Sequence, residues 1–593
     1  MNLEQELKQA TIEIFKEEFG VEISADAVTL NITKKEHTGD YTVVVFPLIK
    51  FSKKSPEQTA EILGEKLKTK TNFVATYNVI KGFLNLSFAA AYWLNRLEEI
   101  SANKSYGTFP ANDKKVVLEY CGPNTNKPLH IGHVRNMFLG FSMSEILKAN
   151  GYDVTKVNIY NDRGIAICKS MLAYIRYGNN STPQSTGIKG DHFVGDWYVK
   201  WNEKAKEELE SINAVKTGDF DEDQKLTKLF KEAQEMLLKW EAGDTETIKL
   251  WKQMNEWVFE GFQQTFNLLS VDFQKDYFES QTYMLGKDIV EEGLQKNVFK
   301  KRADGAVIID LTADGLDEKV LLRSDGTSVY ITQDLATAEL RNKEFGMDKM
   351  IYVVANEQDY HFKVLKLALQ KLGHAWADGI YHLSYALVES PTGRFKSREG
   401  KTADADDLIS EVLRIAEEKT KELGKTEGFS DEQATELYQT IGLGALKYFV
   451  LRVNPYKKIV FNPEESIDFH GHTGPFIQYT HARVSAIMRK SQDLDVSGFT
   501  NLKTLNDVER ELIILFSEYE NVVRTSAEKY DPSEVANYVY TLAKTYNKFY
   551  HDFPILNAST EEEKKLRVAL STQTGLLIKK GMKLLGITVP EKM

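Results

Sequence analysis

The chain has 593 residues, of which 42% are hydrophobic and 27% charged, the balance of an ordinary globular protein too long for one hydrophobic core. A net charge of −11 at pH 7 argues against a protein that coats nucleic acid unselectively. No apolar run reaches bilayer length, the start of the chain is acidic, and Cys121 and Cys168 form no C-x-x-C motif, which together predict a cytoplasmic protein.

The first segment predicts a small α+β domain over residues 1–105. Apolar residues at helical spacing open it, and strand-like runs follow at 41–46 and 82–86 with a helix between them. A further helix is predicted near 92–100.

The middle of the chain predicts a Rossmann-type α/β domain over residues 106–403. A buried strand at 115–120, a helix over about 134–148 and a strand at 154–160 form one crossover unit of a parallel sheet. Residues 170–290 are helical and charged, which indicates a helical insertion. Further elements are predicted as strands at 306–311, 328–332, 350–354 and 382–388 and as helices at 335–345 and 362–372. The alternation is typical of a doubly wound sheet.

From residue 404 to 593 the helical period dominates, so we expect an all-α bundle. Its last thirty residues, 564–593, hold seven Lys or Arg against one acidic residue. A local site for a polyanion and an ordinary solvated surface are about equally compatible with this charge pattern.

The loop between the first predicted strand and helix contains His130, Gly132 and His133. The start of a helix offers free backbone N–H groups and a positive dipole end, which suit a phosphate. Gly132 allows a nucleotide to approach the backbone closely. These residues predict an ATP site, and the competing interpretation is that the histidines only cap the helix.

A second, cationic segment at 393–401 follows the last predicted strand and contains Lys396, Ser397 and Arg398. Glycines bound it on both sides. Such a loop can close on a triphosphate and hold the leaving pyrophosphate. Without the histidine motif, an unspecific basic loop would be the better interpretation.

The two motifs resemble the H-I-G-H and K-M-S-K-S signatures of class I aminoacyl-tRNA synthetases. The stretches P-N-x-x-K-P-L-H-I-G-H, G-T-S-x-Y-x-x-x-D-L-A, Q-Y-x-H-A-R and L-L-G-I-x-x-P-E-x-M narrow the resemblance to the arginyl-tRNA synthetases, from Phe19 to Met593. The resemblance implies that ATP (carrying Mg²⁺), L-arginine and tRNA(Arg) are bound. It also implies an N-terminal domain at the tRNA elbow, a Rossmann catalytic domain and a helical anticodon-binding domain.

The chain departs from the family pattern in two places. Ser397 replaces the second lysine of K-M-S-K-S, and Lys127, just before H-I-G-H, is the expected substitute contact to phosphate. After the second strand the chain reads Asn161-Asp162-Arg163-Gly164 where many relatives have G-D-W-G. The role of that turn stays open.

Recognition of a guanidinium requires carboxylates, because its planar donor fork pairs with them bidentately. By resemblance, Tyr330 and Asp334 hold the arginine side chain, Glu119 is a further acidic contact, and Asn124 and Gln358 bind the rest of the amino acid. From pattern alone, a helix N-cap is the favoured interpretation of Asp334. A core position at a strand end is the less favoured alternative for Tyr330. Glu119, within an apolar strand, needs a partner or water.

Aromatic and basic residues alternate in the predicted bundle, and four of them are the expected tRNA contacts: Tyr448, Arg452, Tyr479 and Arg483. Unstacked bases are read by aromatic stacking and side-chain hydrogen bonds. Each tyrosine taken alone fits a core or surface residue better. His470 and His472 indicate a turn rather than a metal site, since a third ligand is missing nearby. No metal site is predicted, and a monomer is expected.

Three other functions remain open from the sequence. A small-molecule nucleotidyltransferase also uses an H-x-G-H turn, but does not need the basic helical region. A binding protein derived from a synthetase would not need both His130 and His133. A class I synthetase for another amino acid would not need acidic residues such as Glu119 and Asp334.

Overall fold

The computed structural model describes residues 3–34, 36–212, 215–389 and 404–593. The N-terminal region contains α1 (Leu3–Phe19), β1 (Thr29–Ile32), β2 (Tyr41–Val44), α2 (Ile49–Ser52), α3 (Pro56–Lys70), β3 (Val74–Ile80), β4 (Phe83–Phe88) and α4 (Ala90–Ala102). Its four strands form an antiparallel sheet in the order β1-β2-β4-β3. Buried Leu63, Leu84 and Trp93 contribute to the core between the sheet and the helices.

The middle region is built on a parallel sheet. Its elements are β5 (Lys115–Glu119), α5 (Ile131–Ala149), β6 (Asp153–Tyr160), α6 (Ile165–Tyr177), α7 (Pro183–Thr186), α8 (Gly190–Ser211), α9 (Phe220–Asp223), α10 (Lys228–Glu241), α11 (Thr245–Leu269), β7 (Lys275–Phe278), α12 (Glu279–Thr282), α13 (Gly286–Gln295), β8 (Phe299–Lys301), β9 (Val307–Ile309), β10 (Lys319–Leu322), α14 (Tyr330–Phe345), β11 (Lys349–Ala355), α15 (Asp359–Lys371), β12 (Ile380–Tyr385) and β13 (Val388–Glu389). Five strands pair in parallel in the order β12-β11-β5-β6-β7. The predicted fold class is confirmed.

Strand β5 lies at the centre of this sheet and is covered on both faces. Val116 and Leu118 pack on the side of α5, and Val117 packs on the side of α14 and α15. A strand buried on both faces needs a continuous apolar run, which this sequence has. The strand order reverses between β5 and β11, and the crevice at the carboxyl ends beside such a reversal is where α/β proteins bind ligands.

Two predicted strands are wrong in type or in place. Residues 328–332 were expected to be extended, but helix α14 begins at Tyr330. Their β-branched residues favour a strand only weakly, and burial of Ile331 and Leu335 in the core outweighs that preference. The strand at 306–311 forms as β9, but in a separate antiparallel sheet in the order β10-β9-β8.

The stretch 170–290 is mostly helical, as expected, and α6, α8 and α10 pack around Trp201 and Ala205. It also contains β7, the edge strand of the parallel sheet, for which no strand was predicted. Only Tyr277 of its four residues is buried, so the strand has no apolar pattern of its own. Pairing with β6 is what extends it.

The last region is helical apart from one short strand. Its elements are α16 (Ala405–Glu422), α17 (Asp431–Leu451), β14 (Ile459–Val460), α18 (Pro463–Ser466), α19 (Gly474–Lys490), α20 (Asp507–Lys529), α21 (Ser533–Asp552) and α22 (Glu561–Leu584). Strand β14 pairs in parallel with β13 of the middle region. The N-terminal region packs on α20, where the Tyr41 hydroxyl donates to the Glu518 carboxylate. Within the described ranges, every helix is too short or too polar for a bilayer span.

Candidate active site

The turn from His130 to His133 caps the N-terminus of α5. His130 is the N-cap residue, and its Nδ1 accepts a hydrogen bond from the Gly132 N–H at 3.1 Å. The Nδ1 of His133 accepts from the His130 N–H, also at 3.1 Å. The capping interpretation is therefore correct for both Nδ1 atoms, and it leaves both Nε2 atoms to other partners.

Both histidines of this turn are neutral near pH 7. Burial, assisted by Lys127, lowers the pKa of His130 to about 4. Burial also lowers the pKa of His133 well below its ordinary value, with His130 and Lys127 adding to the effect. A neutral imidazole whose Nδ1 accepts a hydrogen bond carries its proton on Nε2. The turn thus offers two Nε2–H donors beside a helix N-terminus, a combination suited to phosphate.

There is little free space around the His130–His133 turn, and Lys127 is a cationic residue beside it. A Cβ atom at Gly132 would lie 2.9 Å from Cε1 of His130, so a side chain there displaces the imidazole. Lys127 is exposed, yet the protein around it lowers the pKa of its ammonium group. Gly132 thus has a steric role that the motif alone did not specify.

Three predicted residues lie outside the described part of the chain: Lys396, Ser397 and Arg398. The first residues after that segment are joined to the histidine turn. Asp404 forms an antiparallel bridge with His130, and the Ala405 N–H donates to the Leu129 carbonyl at 2.8 Å. The described chain from Asp404 onward is therefore joined directly to the candidate ATP site.

A charged cluster beside this junction has ligand atoms spaced as in a metal site. Oxygen or nitrogen atoms of Asp191, His192 and Asp406 lie within 4.8 Å of one another. However, the ammonium of Lys189 lies 2.6 Å from Asp406 and 3.3 Å from Asp191. Although burial opposes it, hydrogen bonds from His192 and Lys189 lower the pKa of Asp406 to about 2. The cluster is an ion-pair network that joins the starts of α8 and α16.

Helix α14 carries Tyr330, Asp334 and Arg341 on one face, since they are spaced by four and seven residues. Tyr330 is 78% exposed, which excludes the core interpretation. Asp334 is the fifth residue of the helix and Val329 is the N-cap, so the N-cap interpretation of Asp334 is wrong. Its Oδ2 instead lies 2.6 Å from Nε2 of His361, a contact that no sequence pattern indicated.

Glu119, at the end of β5, already has a partner inside the protein. It forms an ion pair with the fully buried Arg341. Burial raises the pKa of Glu119, and the Arg341 guanidinium opposes that rise. The pair joins β5 to α14, and it leaves Glu119 little free charge for a ligand, in contrast to the direct contact expected from the sequence.

A further carboxylate, Glu279, belongs to the same group and was missed. Burial raises its pKa to about 7; Arg163 opposes the rise, and the negative charges of Asp162 and Asp334 add to it. Asp334 therefore lies near enough to Glu279 for its charge to influence the ionisation of that carboxyl group. Glu279 follows β7 directly, and because β7 was not predicted, nothing in the sequence brought this residue to the sheet edge.

The remaining predicted residues lie at the same carboxyl edge. Asn124 extends the pairing of β5 and β6 through a parallel bridge with Asn161. Gln358 is exposed in the turn that follows β11. The open question of the 161–164 turn has a structural answer: Asp162 accepts hydrogen bonds from the N–H and hydroxyl of Ser280 at 2.8 and 2.7 Å, which holds the start of α12.

Two of the four expected RNA contacts are engaged within the helical region. Tyr448 is completely buried, and its hydroxyl donates to the Ala536 carbonyl at 2.9 Å. Its ring cannot stack on a base, so the prediction for Tyr448 is wrong. Arg452 donates to the His472 carbonyl and lies 4.4 Å from the Phe449 ring centroid. The alternation of aromatic and basic residues did not reveal which face of α17 is buried.

Tyr479 and Arg483 do lie together, in a group with Lys425 and Tyr550 that we call the Tyr479 patch. The Lys425 ammonium is 3.6 Å and the Arg483 guanidinium 5.0 Å from the Tyr479 ring centroid. A hydrogen bond from Lys425 lowers the pKa of the Tyr479 hydroxyl, despite some burial and with help from Arg483. Arg483 also lies 4.6 Å from the exposed ring of Tyr550. The patch combines aromatic surface with positive charge.

Comparison with protein families gives three matches in succession. Residues 1–88 match the arginyl tRNA synthetase N terminal domain, and residues 96–462 match the catalytic domain of tRNA synthetases class I (R). Residues 477–593 match the DALR anticodon binding domain.

Individual proteins are similar over the whole chain. It is 50% identical to an arginine–tRNA ligase of Parabacteroides distasonis and to one of Bacteroides thetaiotaomicron, with 100% of both chains covered in each case. The solved arginyl-tRNA synthetase of Thermus thermophilus has a TM-score of 0.81 at 25% identity, covering 100% of both chains. That of Plasmodium falciparum has a TM-score of 0.76 at 17% identity, covering 100% of this chain and 99% of the other, which is a likeness of fold.

Proposed function

Because the chain belongs to the class I arginyl-tRNA synthetases, we propose that its His130–His133 turn binds ATP and that the first turns of α14 bind arginine. The reaction is that of an arginine–tRNA ligase, in which ATP and arginine give arginyl adenylate and the arginyl group passes to tRNA(Arg). The observation that carries the site assignment is the partly exposed carboxylate of Asp334, which is bonded to His361 through Oδ2 and lies next to the Glu119–Arg341 pair at the carboxyl edge of the sheet. The neutral histidine pair caps the helix that follows β5 at that edge.

In the proposed arginine pocket, Asp334 pairs with the guanidinium. A carboxylate accepts two parallel N–H bonds from this planar group, whereas lysine offers only a point charge. Tyr330 contributes the exposed face of its ring, and Glu279, whose pKa burial raises to about 7, adds a second carboxyl group that is only partly ionised at pH 7. Glu119 acts through Arg341, by holding α14 against β5. Two further residues are proposed to bind the amino and carboxyl groups of the substrate: Asn124 and Gln358.

At the proposed ATP site, the Nε2–H groups of His130 and His133 donate to phosphate oxygens. As the arginine carboxylate attacks the α-phosphorus and pyrophosphate leaves, negative charge builds on those oxygens, and fixed donors stabilise it. Lys127 is proposed to supply the positive charge that Ser397 lacks, with Lys396 and Arg398 as further contacts. Mg²⁺ is proposed to arrive with the nucleotide.

For tRNA, we propose that residues 1–105 contact the elbow, that 106–403 are catalytic and that 404–593 bind the anticodon. Three family matches in the same order support this division, although the catalytic match continues to residue 462. The hydrogen bond from the Tyr41 hydroxyl to the Glu518 carboxylate joins the two proposed RNA-binding regions. The Tyr479 patch is the proposed base-stacking surface.

The location and assembly of the enzyme are also proposals. We propose a cytoplasmic monomer, and the two cysteines, which are free and buried, fit a reducing compartment. Light scattering on the purified protein would distinguish a monomer from a dimer.

A single assay tests the proposed function. With bulk tRNA, ATP and each of the twenty amino acids in turn, we expect stable charging with arginine only. We further expect ATP–pyrophosphate exchange to require both arginine and tRNA, as the family resemblance implies. Charging with another amino acid, or none with arginine, would refute the assignment.

Tyr479→Ala is expected to raise the KM for tRNA about 10-fold, because loss of one base-stacking contact costs about 1–3 kcal/mol. The KM values for arginine and ATP should stay unchanged. Tyr448→Phe is the matched control, since it removes only the buried hydrogen bond to Ala536. It should lower stability by about 1 kcal/mol with no effect on the KM for tRNA. If Tyr448→Phe raised the KM for tRNA and Tyr479→Ala did not, the RNA contact would be assigned to α17 instead of the Tyr479 patch.

A further inference from the structure

Arg135, one turn into α5, is a fully buried cation with no acidic partner among the described residues. Its two terminal nitrogens donate to carbonyls of two separate chain segments. Nη1 donates to one segment. Nη2 donates to the other, and each of its two carbonyl acceptors lies 3.0 Å away. The four acceptors are the carbonyls of Ala386, Leu387, Pro455 and Lys457.

A buried charge is costly unless it is paired or fully hydrogen-bonded. Burial lowers the pKa of Arg135 to about 10, which still leaves the side chain charged at pH 7. An apolar residue would fill the same space at lower cost. The guanidinium differs from a lysine ammonium because its rigid fork directs donors in two fixed directions. That geometry suits a link between two backbone segments.

The two linked segments lie on opposite sides of the predicted boundary at residue 404, although the catalytic family match continues to residue 462. Ala386 and Leu387 connect β12 of the catalytic sheet to β13, whereas Pro455 and Lys457 lie just before β14 of the helical region. The segments also bond one another directly: the Ala386 N–H donates to the Pro455 carbonyl at 3.0 Å. Beyond them β13 and β14 pair in parallel. Arg135 thus connects α5 to the junction between the two regions.

A second set of contacts, through Asn136 and Tyr385, connects the same junction to the histidine turn. Asn136, next to Arg135, donates to the Tyr385 hydroxyl at 3.2 Å, and that hydroxyl lies 3.5 Å from the Gly132 carbonyl. Tyr385 directly precedes the carbonyls that Arg135 binds. A shift of the 385–387 segment therefore acts on Gly132 as well as on Arg135.

We propose that Arg135 is a positioning residue that couples tRNA binding by the helical region to ATP binding at the His130–His133 turn. The inference rests on the proposed function of that turn. In this structure all four carbonyls bond the guanidinium fork at once, so we expect a ligand that favours this relative position of the two regions on one side to favour it on the other. Coupling of this kind is reciprocal for the two ligands.

The test measures the dissociation constant of tRNA(Arg) by fluorescence anisotropy, with and without a nonhydrolysable ATP analogue plus arginine. In the wild type the ratio of the two constants should lie within the usual range of about 5- to 150-fold. Arg135→Lys keeps the charge but loses the fork, and the ratio should fall close to one while tRNA binding without nucleotide is retained. A wild-type ratio near one, or a variant ratio equal to that of the wild type, overturns the coupling.

Two further variants keep the test decisive if Arg135→Lys folds poorly. Lys458 pairs with Glu389 at 3.2 Å across β13 and β14 on the surface. Lys458→Ala should reduce the ratio about twofold, because an exposed ion pair contributes only a small free energy. Lys457→Ala removes the neighbouring lysine side chain instead, and it should leave the ratio unchanged. An unchanged ratio in Lys458→Ala overturns the proposal.

A buried-cation control separates coupling from general packing. Lys447 is buried and donates to the Gly586 carbonyl at 2.6 Å, away from the junction. Lys447→Met should lower stability without changing the ratio, and a lowered ratio in this variant would assign the effect to packing instead. Failure of the proposed function looks different, since the wild type would then not charge tRNA with arginine at all.

Discussion

Asp334→Asn is expected to lower kcat/KM for arginine by about 10³-fold or more, because a site built to pair a buried polar group loses that much when the partner is missing. The loss should appear mainly in the KM for arginine, since the guanidinium is proposed to pair with Asp334 both before and during the reaction. The melting temperature should change little, because Asp334 is not the N-cap of α14 and its side chain is 38% exposed. The measurement is ATP–pyrophosphate exchange at saturating tRNA and ATP, together with thermal unfolding.

Glu119→Gln, in the same proposed pocket, is expected to affect stability where Asp334→Asn affects the KM for arginine. It leaves the fully buried Arg341 without its carboxylate, and breaking a buried ion pair typically costs about 3–5 kcal/mol. We therefore expect Glu119→Gln to lower the melting temperature strongly and Asp334→Asn to preserve it. Strong destabilisation by Asp334→Asn with an unchanged KM for arginine would place the arginine pocket elsewhere.

Two substitutions of His133 are expected to separate its two nitrogen atoms. Asparagine puts an acceptor near the position of Nδ1, so His133→Asn keeps the hydrogen bond from the His130 N–H but loses the Nε2–H donor. Loss of one transition-state donor should lower kcat by about 10²- to 10³-fold, with stability close to the wild type. Glutamine reaches the position of Nε2 instead. His133→Gln should retain more activity but lose about 1 kcal/mol of stability with the cap.

The lowered pKa values of the histidine pair add a test by pH. The folded protein keeps His130 neutral down to about 4, whereas the unfolded chain takes up a proton near the ordinary value of 6.5. This contribution to stability is therefore present above pH 6.5 and is lost as pH falls towards 4. His133 shifts in the same direction, so His133→Asn should lose melting temperature less steeply over that range than the wild type. Equal slopes would contradict the lowered pKa of His133, and equal activities of the two His133 variants would contradict the assigned tautomer.

Local pattern predicted the central parts of the fold. The apolar run of β5 and the helical periods of α5 and of the last region are strong signals, because a strand covered on both faces and a long helix each need a continuous pattern. Weak signals failed. The residues of β7 have no apolar alternation, and those at the start of α14 favour a strand locally, yet the neighbouring sheet decided the outcome in both cases.

The residues of the candidate site likewise fall into those that local sequence predicted and those that it did not. The histidine turn and Asp334 were recognisable because their motifs are contiguous in sequence, and the turn needs only its own backbone for the caps. Glu279, His361 and the partner of Glu119 were not recognisable, because each comes from an element distant in sequence. Tyr448 failed for a related reason: its neighbours do not reveal that α21 covers it.

By itself, the sequence determined the fold class, and it predicted the three-part organisation and the histidine motif that is proposed to bind the nucleotide. Only the tertiary structure decided which charges remain free. Arg341 neutralises Glu119, Lys189 occupies the acidic cluster at Asp406, and four carbonyls surround Arg135. The physical reason is that the free charge of a side chain depends on which groups burial brings within hydrogen-bonding distance, and those groups come from remote parts of the chain.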